Sequence, residues 1–242
     1  MPKNDSLQSL AQKLHDVPRW LEVRDLLLTE SGDVFGLQNE PELAFVIREK
    51  GTPSIFVIGK PSIDVIHEVT QPVDLAATVI TPPENKDYLA MLLIGWAQTR
   101  IIVHHLPDFT FLPEVQPGQV DFLDTSLLNQ LPIDAELRAE LEVGAAHSPI
   151  AAAFDGSLPV SFCYVSSETE TLWDVAIDTL PDHQRKGYAT QAAAFMIRYM
   201  HEQGKQAVWQ ALEDNPASWK LAQKLGFAAI DELVQFQPSK TS

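Results

Sequence analysis

The sequence predicts an α/β protein with a mixed sheet, organised in two lobes. A strand, a loop, a helix and a second strand follow one another from residue 171 to residue 212, and such a crossover makes the two strands parallel. Upstream, two strand-like segments flank the turn Asp155-Gly156-Ser157, so an antiparallel meander should precede the crossover. With 242 residues, 45% of them apolar, the chain can bury one large core or two modest ones.

The first lobe, residues 1–110, is predicted to mix helices and strands. Residues 7–14 and 20–28 have helical periodicity with charged faces. Residues 43–48 and 54–59 should form a hairpin, because the intervening residues 50–53 are turn formers. The pattern then predicts, in order, a helix over 63–69, a strand over 76–80, a helix over 88–96 and a strand over 100–106. The acidic segment 107–118, which carries Pro and Gly, is predicted to connect the lobes.

The second lobe, residues 111–242, carries the meander and the crossover. A strand over 120–123 and helical stretches over 127–131 and 134–143 should open it, and residues 166–169 are predicted to be a turn. The meander strands are predicted over 150–154, 160–165 and 171–177. After the crossover helix, which should end at Gly204, we expect a strand over 207–212, a helix from Pro216 and a strand over 229–236.

The loop between the strand at 171–177 and the following helix is a predicted anion site. Residues 184–189 read Gln-Arg-Lys-Gly-Tyr-Ala. The first N–H groups of a helix lack intrahelical partners and lie at the positive end of its dipole, so an anion binds there readily. Gly187 lets a ligand approach the backbone closely, and Arg185 and Lys186 add positive charge beside it.

A second motif runs from Asn215 to Phe227. Asn215 suits a helix N-cap, Pro216 the first helical position, and Gly226 the left-handed residue after a helix end. Taken alone, every residue of this motif has a structural explanation.

In order and spacing, the two motifs resemble those of the GNAT superfamily of N-acyltransferases, over about residues 110–237. The loop is similar to the Q/R-x-x-G-x-G/A signature that binds the pyrophosphate of acetyl-coenzyme A, with Ala189 in place of the commoner last glycine. The second motif resembles the closing helix of the family, in the form N-x-x-S-x-x-x-A-x-K-L-G-F. The resemblance implies a GNAT domain over 111–242. The smaller lobe before it is a candidate degenerate GNAT-like half, although the sequence shows no convincing internal repeat.

The resemblance implies an acetyl-CoA-dependent N-acetyltransferase that acts on a primary amine by direct attack in a ternary complex. The acceptor is expected to be a small-molecule or peptide amine, with the first lobe as a candidate wall of its cleft. The alternative is a catalytically silent CoA-binding or protein-interaction module with the same fold.

The resemblance also implies which residues contact the cofactor. The strand before the loop would contact pantetheine and the acyl group through its backbone, the loop amides would bind pyrophosphate, and Asn215 would lie near the thioester. These candidate residues are Ile177, Asp178, Thr179, Gln184, Arg185, Lys186, Gly187, Tyr188, Ala189, Thr190, Asn215 and Ser218.

Two residues depart from the usual catalytic pattern of the family. The tyrosine that commonly protonates the thiolate, four residues before the glycine of the closing Gly-Phe, is replaced by Ala222. The glutamate base that some members carry five residues before the asparagine is replaced by Gln210. The resemblance therefore supports cofactor binding more strongly than it supports a mechanism.

Other residues become candidates for the acid and the base. Ser218 is a candidate proton donor, with an ordinary helix-surface serine as the alternative. Asp174, then Glu213 and His183, are candidate bases. Each of the first two also has a non-catalytic explanation. Asp174 could simply face solvent on an alternating strand, and Glu213 could only place negative charge at a helix N-terminus.

Composition limits the remaining function classes. Seventeen Lys and Arg against 33 Asp and Glu leave a formal charge of −16, which disfavours nucleic acid as a partner and suits a cationic acceptor.

Cys163 is the only cysteine, so no intrachain disulfide forms and a packing role is expected. His104 and His105, adjacent on a strand, point to opposite faces, and no metal is expected. We expect a cytoplasmic protein with no membrane partner, and the oligomeric state, including a homodimer, is left open.

Overall fold

The computed structural model describes residues 6–39, 42–71 and 74–239. The chain forms two compact units. The first contains the described residues up to Val103, with Ala211–Pro216 and those from Ile230 onwards, and the second contains His104–Gln210 and Ala217–Ala229. The predicted α/β class with a mixed sheet is confirmed. The predicted domains, residues 1–110 and 111–242, stay predictions.

The first unit pairs its strands in the order β1-β2-β3-β4-β11. The predicted hairpin is confirmed as the antiparallel pair of β2 and β3, and β3 lies parallel to β4 through the helix α3. The elements are α1 (Leu7–Ala11), α2 (Leu21–Leu28), β1 (Gly32–Gln38), β2 (Ala44–Glu49), β3 (Ser54–Ile58), α3 (Ile63–Thr70), β4 (Thr78–Thr81), α4 (Lys86–Leu92), β5 (Trp96–His105) and β11 (Ala228–Pro238).

In the first unit one strand was missed and one prediction was wrong. The strand β1 was missed, because Gly32 and Gly36 interrupt its apolar alternation. The helix predicted over 88–96 ends at Leu92, because Gly95 adopts a left-handed φ of 83° and turns the chain into β5. Buried apolar side chains from six elements nevertheless form one core in this unit, namely Val46, Ile55, Val57, Ile66, Val69, Val79, Leu89, Leu93, Val234 and Phe236.

The second unit pairs its strands in the order β10-β9-β8-β7-β6. The predicted meander is confirmed by the antiparallel pairs β7–β8 and β8–β9, and β10 lies parallel to β9 as predicted. The elements are β6 (Val120–Phe122), α5 (Ala135–His147), β7 (Ala151–Asp155), β8 (Leu158–Glu168), β9 (Leu172–Thr179), α6 (Tyr188–Glu202), β10 (Gln206–Leu212) and α7 (Pro216–Lys224). The turn expected over 166–169 is wrong, since β8 continues to Glu168 past an irregularity after Val165.

The same order of elements occurs twice along the chain. Three strands, a helix, a strand, a helix and a strand make up β1 to β5, and the same succession makes up β7 to β11. In the first unit β4 pairs antiparallel with β11, the last strand of the second succession. The two successions show no convincing similarity in residue identity. A fold is specified by its apolar pattern, and many different side chains satisfy one pattern. No helix in the described part of the chain is long and apolar enough to span a bilayer.

In the first unit, side chains close the end of the parallel pair β3–β4. Pairing stops at Phe56↔Ile80. Just beyond, the Thr81 hydroxyl donates to the Val57 carbonyl oxygen at 2.9 Å and accepts from Asn85 Nδ2 at 3.1 Å. Thr81 and Asn85 are 1% and 2% exposed, so these hydrogen bonds satisfy polar groups that water does not reach.

We expect Thr81→Val to lower the free energy of unfolding by about 1–3 kcal/mol, the cost of leaving buried polar groups without partners. The substitution keeps the shape of the side chain and removes only the hydroxyl that links Val57 and Asn85. Urea unfolding measures the change. Thr78→Val is the matched control on β4, because the Thr78 hydroxyl makes no hydrogen bond within the described residues, and an equal loss in the control would contradict the expectation.

Candidate active site

The strands β9 and β10 leave a wedge between them. Their pairing covers Gln206↔Leu172 to Val208↔Asp174 and, among the described residues, extends no further, although both strands continue. On its other edge β9 stays paired with β8 as far as Thr179. Backbone groups of residues 175–179 that face the wedge can therefore bind an extended ligand. The predicted contacts Ile177, Asp178 and Thr179 lie on this stretch.

The loop after β9 is bent by two left-handed residues. Arg185 has a φ of 60° and Gly187 a φ of 94°. Such a conformation is strained for a side-chain-bearing residue and occurs preferentially at ligand sites. A Cβ atom on Gly187 would meet no other atom within 4 Å, so the space in front of this glycine is open. The side chain of Gln184 turns back, and its Nε2 donates to the Thr179 carbonyl oxygen at 3.3 Å.

The N-terminus of α6 is a positively polarised surface. Gly187 is its N-cap and supplies no side-chain partner. The N–H of Gln191 bonds Gly187 O at 3.2 Å and begins the helical ladder, so Tyr188, Ala189 and Thr190 precede it with their N–H groups directed outward. Arg185 and Lys186 are exposed beside this end. The arrangement can bind a phosphate-bearing ligand.

A third cation at this end of α6 was missed by sequence reasoning. Lys224, in the last turn of α7, donates from Nζ to Thr190 Oγ1 at 3.2 Å. No local signal predicts this contact, because the two residues are 34 positions apart.

Asp155, the last residue of β7, contacts the loop that follows β9. Its Oδ2 lies 3.2 Å from His183 Nδ1. Desolvation, followed by the charge and hydrogen bond of Asp155, raises the pKa of the Tyr188 hydroxyl. His183, a candidate base, therefore lies beside a carboxylate, although its Nδ1 forms no hydrogen bond within the described residues.

Asp174 lies where β9 and β10 part. It is 8% exposed, so the alternative that it faces solvent is excluded. Ser166 Oγ donates to Asp174 Oδ2 at 2.9 Å, while Oδ1 has no hydrogen-bond partner in the described part of the chain. Burial raises the pKa of this carboxyl to about 6, and the opposing effects come from Ser166 and from the backbone N–H groups of Gln210 and Val175. A carboxylate with such a pKa is suited to act as a general base near neutral pH.

Gln210 belongs to the same face of the wedge. Val208 is the register partner of Asp174, so Gln210, two residues on, points to the same side of the sheet. Its Oε1 and Nε2 are both buried, and neither has a hydrogen-bond partner among the residues that the structure describes. Buried polar atoms are ordinarily hydrogen-bonded, so those of Gln210 are candidates for contact with a ligand or an ordered water.

Glu213 and Asn215 lie in the part of the chain that belongs to the first unit. Glu213 Oε2 is 2.9 Å from Arg100 Nε, and the Arg100 backbone N–H donates to Oε1 at 3.1 Å. These hydrogen bonds lower the pKa of Glu213, which makes it a poorer base. Asn215 donates its backbone N–H to Leu212 O at 3.0 Å in the turn before α7.

Ser218 is held by an aromatic side chain. Trp209 Nε1 donates to Ser218 Oγ at 2.9 Å, and the indole packs edge-on against Phe227 with ring centroids 5.5 Å apart. The helix α7 ends as predicted, because Gly226 has a φ of 94° and Phe227 donates its N–H to Ala222 O at 3.0 Å. Ala222 is fully buried, so the family's usual tyrosine has no counterpart there.

The remaining chemistry-bearing residues have structural partners. Cys163 is buried, and burial raises the pKa of its thiol, which disfavours a nucleophile. His104 Nδ1 lies 3.2 Å from Trp209 O, and His105 Nε2 lies 3.0 Å from Gln206 Oε1. Over the described residues, no group of three or more His, Cys, Asp or Glu side chains could hold a metal ion.

The chain matches one protein-family model in part and is similar in fold to several solved structures. Residues 151–236 match the model of the GNAT acetyltransferase family. A GCN5-related N-acetyltransferase-like protein from Streptococcus suis has 17% identity, a TM-score of 0.71, and coverage of 96% of this chain and 98% of its own. A putative GNAT-family acetyltransferase from Novosphingobium aromaticivorans has 13% identity, a TM-score of 0.63, and coverages of 93% and 98%.

A tandem GNAT protein from the clavulanic acid biosynthesis pathway is also similar, with 12% identity, a TM-score of 0.59, and coverage of 100% of this chain and 97% of its own. At these identities the structural likeness shows the fold. No curated protein matches the chain.

Proposed function

We propose that the protein transfers an acetyl group from acetyl-CoA to a primary amine by direct attack in a ternary complex, because residues 151–236 match the model of the GNAT acetyltransferase family. The family match and the fold support acyl transfer in general. The observation that carries the proposal is the wedge between β9 and β10, which leads from the buried Asp174 to the polarised N-terminus of α6.

The residues of the second unit fit the chemistry of acetyl-CoA. The N–H groups that begin α6, with Arg185, Lys186 and Lys224, suit a pyrophosphate because they offer hydrogen-bond donors and positive charge. The wedge-facing backbone of Ile177–Thr179 suits an extended chain with amide groups. Acetyl-CoA supplies the activated thioester.

Three groups of the chain would then act on the acceptor and the leaving group. Asp174, as the carboxylate, would accept the proton that the amine loses as it attacks. The backbone N–H groups of β9 would hydrogen-bond the negative charge that develops on the carbonyl oxygen. Ser218 would donate a proton to the departing sulfur, directly or through water. Holding both substrates in one wedge also supplies rate through proximity.

The described residues of the first unit differ at the corresponding place. Its loop from β3 to α3 spans only residues 59–62 and includes Pro61, which has no N–H. The Tyr88 hydroxyl donates to the Pro61 carbonyl oxygen, and Thr81 and Asn85 fill the end of the strand pair. We therefore place one cofactor per chain, in the second unit.

We expect calorimetric titration with acetyl-CoA to give a stoichiometry of one per chain. Desulfo-CoA, which cannot transfer an acyl group, should bind with the same stoichiometry. Thiol release on addition of primary amines then tests transfer, and binding without thiol release across a broad amine panel would favour the catalytically silent alternative. Two equivalent sites would contradict the assignment to the second unit, and no binding at millimolar cofactor would contradict the proposed function.

A further inference from the structure

One face of β9 carries acidic side chains next to the wedge. Alternation along the strand puts Asp174, Ala176 and Asp178 on the same face. In the register with β8, Tyr164 lies opposite Ala176, so its phenol extends over this face as well. Leu141 of α5 and Tyr164 belong to one buried cluster, which places α5 over the same side.

Tyr164 lies between two carboxylates. Its hydroxyl oxygen is 2.9 Å from Asp178 Oδ2 and 3.0 Å from Glu140 Oε2. A phenol has one proton, so it can donate to only one of the two oxygens at a time. The other short contact needs a proton or a cation from elsewhere. Burial raises the pKa of Asp178, with Tyr164 opposing the shift and the charge of Asp134 adding to it.

Among the described residues, no lysine or arginine side chain pairs with this acidic group. Neither Glu140, Asp174 nor Asp178 forms an ion pair with a lysine or arginine in the described part of the protein. Arg138, the arginine of α5, instead donates to the backbone carbonyl oxygens of residues 128, 131 and 133. Asp174 is buried and Asp178 half-buried, and carboxylates withdrawn from water without a counter-charge are costly, which favours a ligand that brings a positive charge.

A second observation on the same face points to a ligand. Asp174 is more than nine-tenths buried, and its Oδ1 has no partner among the described residues. Only the methyl group of Ala176 lies between Asp174 and Asp178 on this strand. The face therefore runs from the exposed Glu140 to the buried Asp174, with a small residue leaving room between the carboxylates.

We infer that this face binds an acceptor with a second positive charge, a diamine, with its reacting amine near Asp174 and its second ammonium group between Glu140 and Asp178. The inference rests on the proposed function and names its acceptor class. Four residues of strand span about 13 Å, which leaves about 7 Å between two nitrogens once each is hydrogen-bonded to a carboxylate. A five-carbon diamine is of this length.

Binding measurements separate charge recognition from catalysis. Protein saturated with desulfo-CoA is titrated calorimetrically with 1,5-diaminopentane, with 1-aminopentane, and with 5-aminopentan-1-ol, which replaces the second amine by a hydroxyl. We expect the diamine to bind about tenfold more tightly than either monoamine, because its second ammonium group adds one charge-assisted hydrogen bond. Glu140→Gln and Asp178→Asn should each reduce this preference severalfold. Glu142→Gln, an exposed acid on the same helix, should leave it unchanged.

Equal affinity for the diamine and the monoamines would overturn the inference, and so would an undiminished preference in both variants. Two further measurements distinguish a failure of the diamine site from a failure of the proposed acetyl transfer. They are the same titrations without desulfo-CoA and the rate of thiol release when acetyl-CoA reacts with 1-aminopentane. Transfer to 1-aminopentane at the rate seen with the diamine would uphold acetyl transfer and reject the diamine site. Diamine preference without any acetyl-CoA binding would reject the transferase and uphold the cation site.

Discussion

Gly187→Glu is expected to weaken acetyl-CoA binding by at least about 100-fold, a loss of about 2.7 kcal/mol in binding free energy. The new carboxylate would stand in the open space before α6, where the N–H groups and cations favour an anion. It would repel the pyrophosphate and occupy its donors, and each charge-assisted hydrogen bond that is lost costs about 1.5–3 kcal/mol. Calorimetry with acetyl-CoA measures the change directly.

The substitution also strains the backbone, and a control separates this effect. Gly187 has a φ of 94°, where a side chain costs about 1–2 kcal/mol. Gly204, just after the other end of α6, has a φ of 81° and equally open surroundings. Gly204→Glu should therefore lower the melting temperature by a similar few degrees and bind acetyl-CoA normally. Retained affinity in Gly187→Glu, or an equal loss in Gly204→Glu, would contradict the placement of the phosphate site.

Asp174→Asn is expected to reduce kcat by about 100-fold or more, the usual contribution of a general base. In the wild type kcat/KM should rise as pH increases through the pKa of about 6, because the carboxylate is the form that accepts the proton. The variant should lack this limb of the profile. Initial rates of thiol release over pH 5–8 measure both effects.

The same substitution should stabilise the protein at neutral pH. Burial raises the pKa of Asp174 from an ordinary 3.8 to about 6, so the folded state prefers the protonated form. The stabilising contribution is complete below the unfolded pKa and is lost as pH rises through the folded one. Removing the charge should raise the free energy of unfolding by up to about 3 kcal/mol at pH 7 and by little at pH 4. Urea unfolding at the two pH values tests the difference.

Glu213→Gln is the control for the base. Arg100 already holds the Glu213 carboxylate ionised. Removing this carboxylate should therefore leave the acidic limb of the profile of kcat/KM against pH in place. If the limb disappears in Glu213→Gln and persists in Asp174→Asn, the base is Glu213 and the assignment to Asp174 is wrong.

Local signals in the sequence predict most of the fold around the candidate site. Asp155-Gly156-Ser157 marks the hairpin of β7 and β8, and Gly226 marks the end of α7, because both depend on backbone conformations that neighbouring residues set. The same holds for the loop at Gly187, whose left-handed φ agrees with the glycine required there. The strand β1 was missed because its glycines hide the alternation on which such predictions rest.

By itself, then, the sequence determined the meander, the crossover and the loop at the start of α6, since each is encoded by residues close together in the chain. Only the tertiary structure decided which charged groups are available for chemistry. Burial beside Ser166 makes Asp174 the strongest candidate base, while Arg100 neutralises Glu213 and Asp155 lies beside His183. Burial and pairing depend on partners many positions away, whose distances no local pattern records.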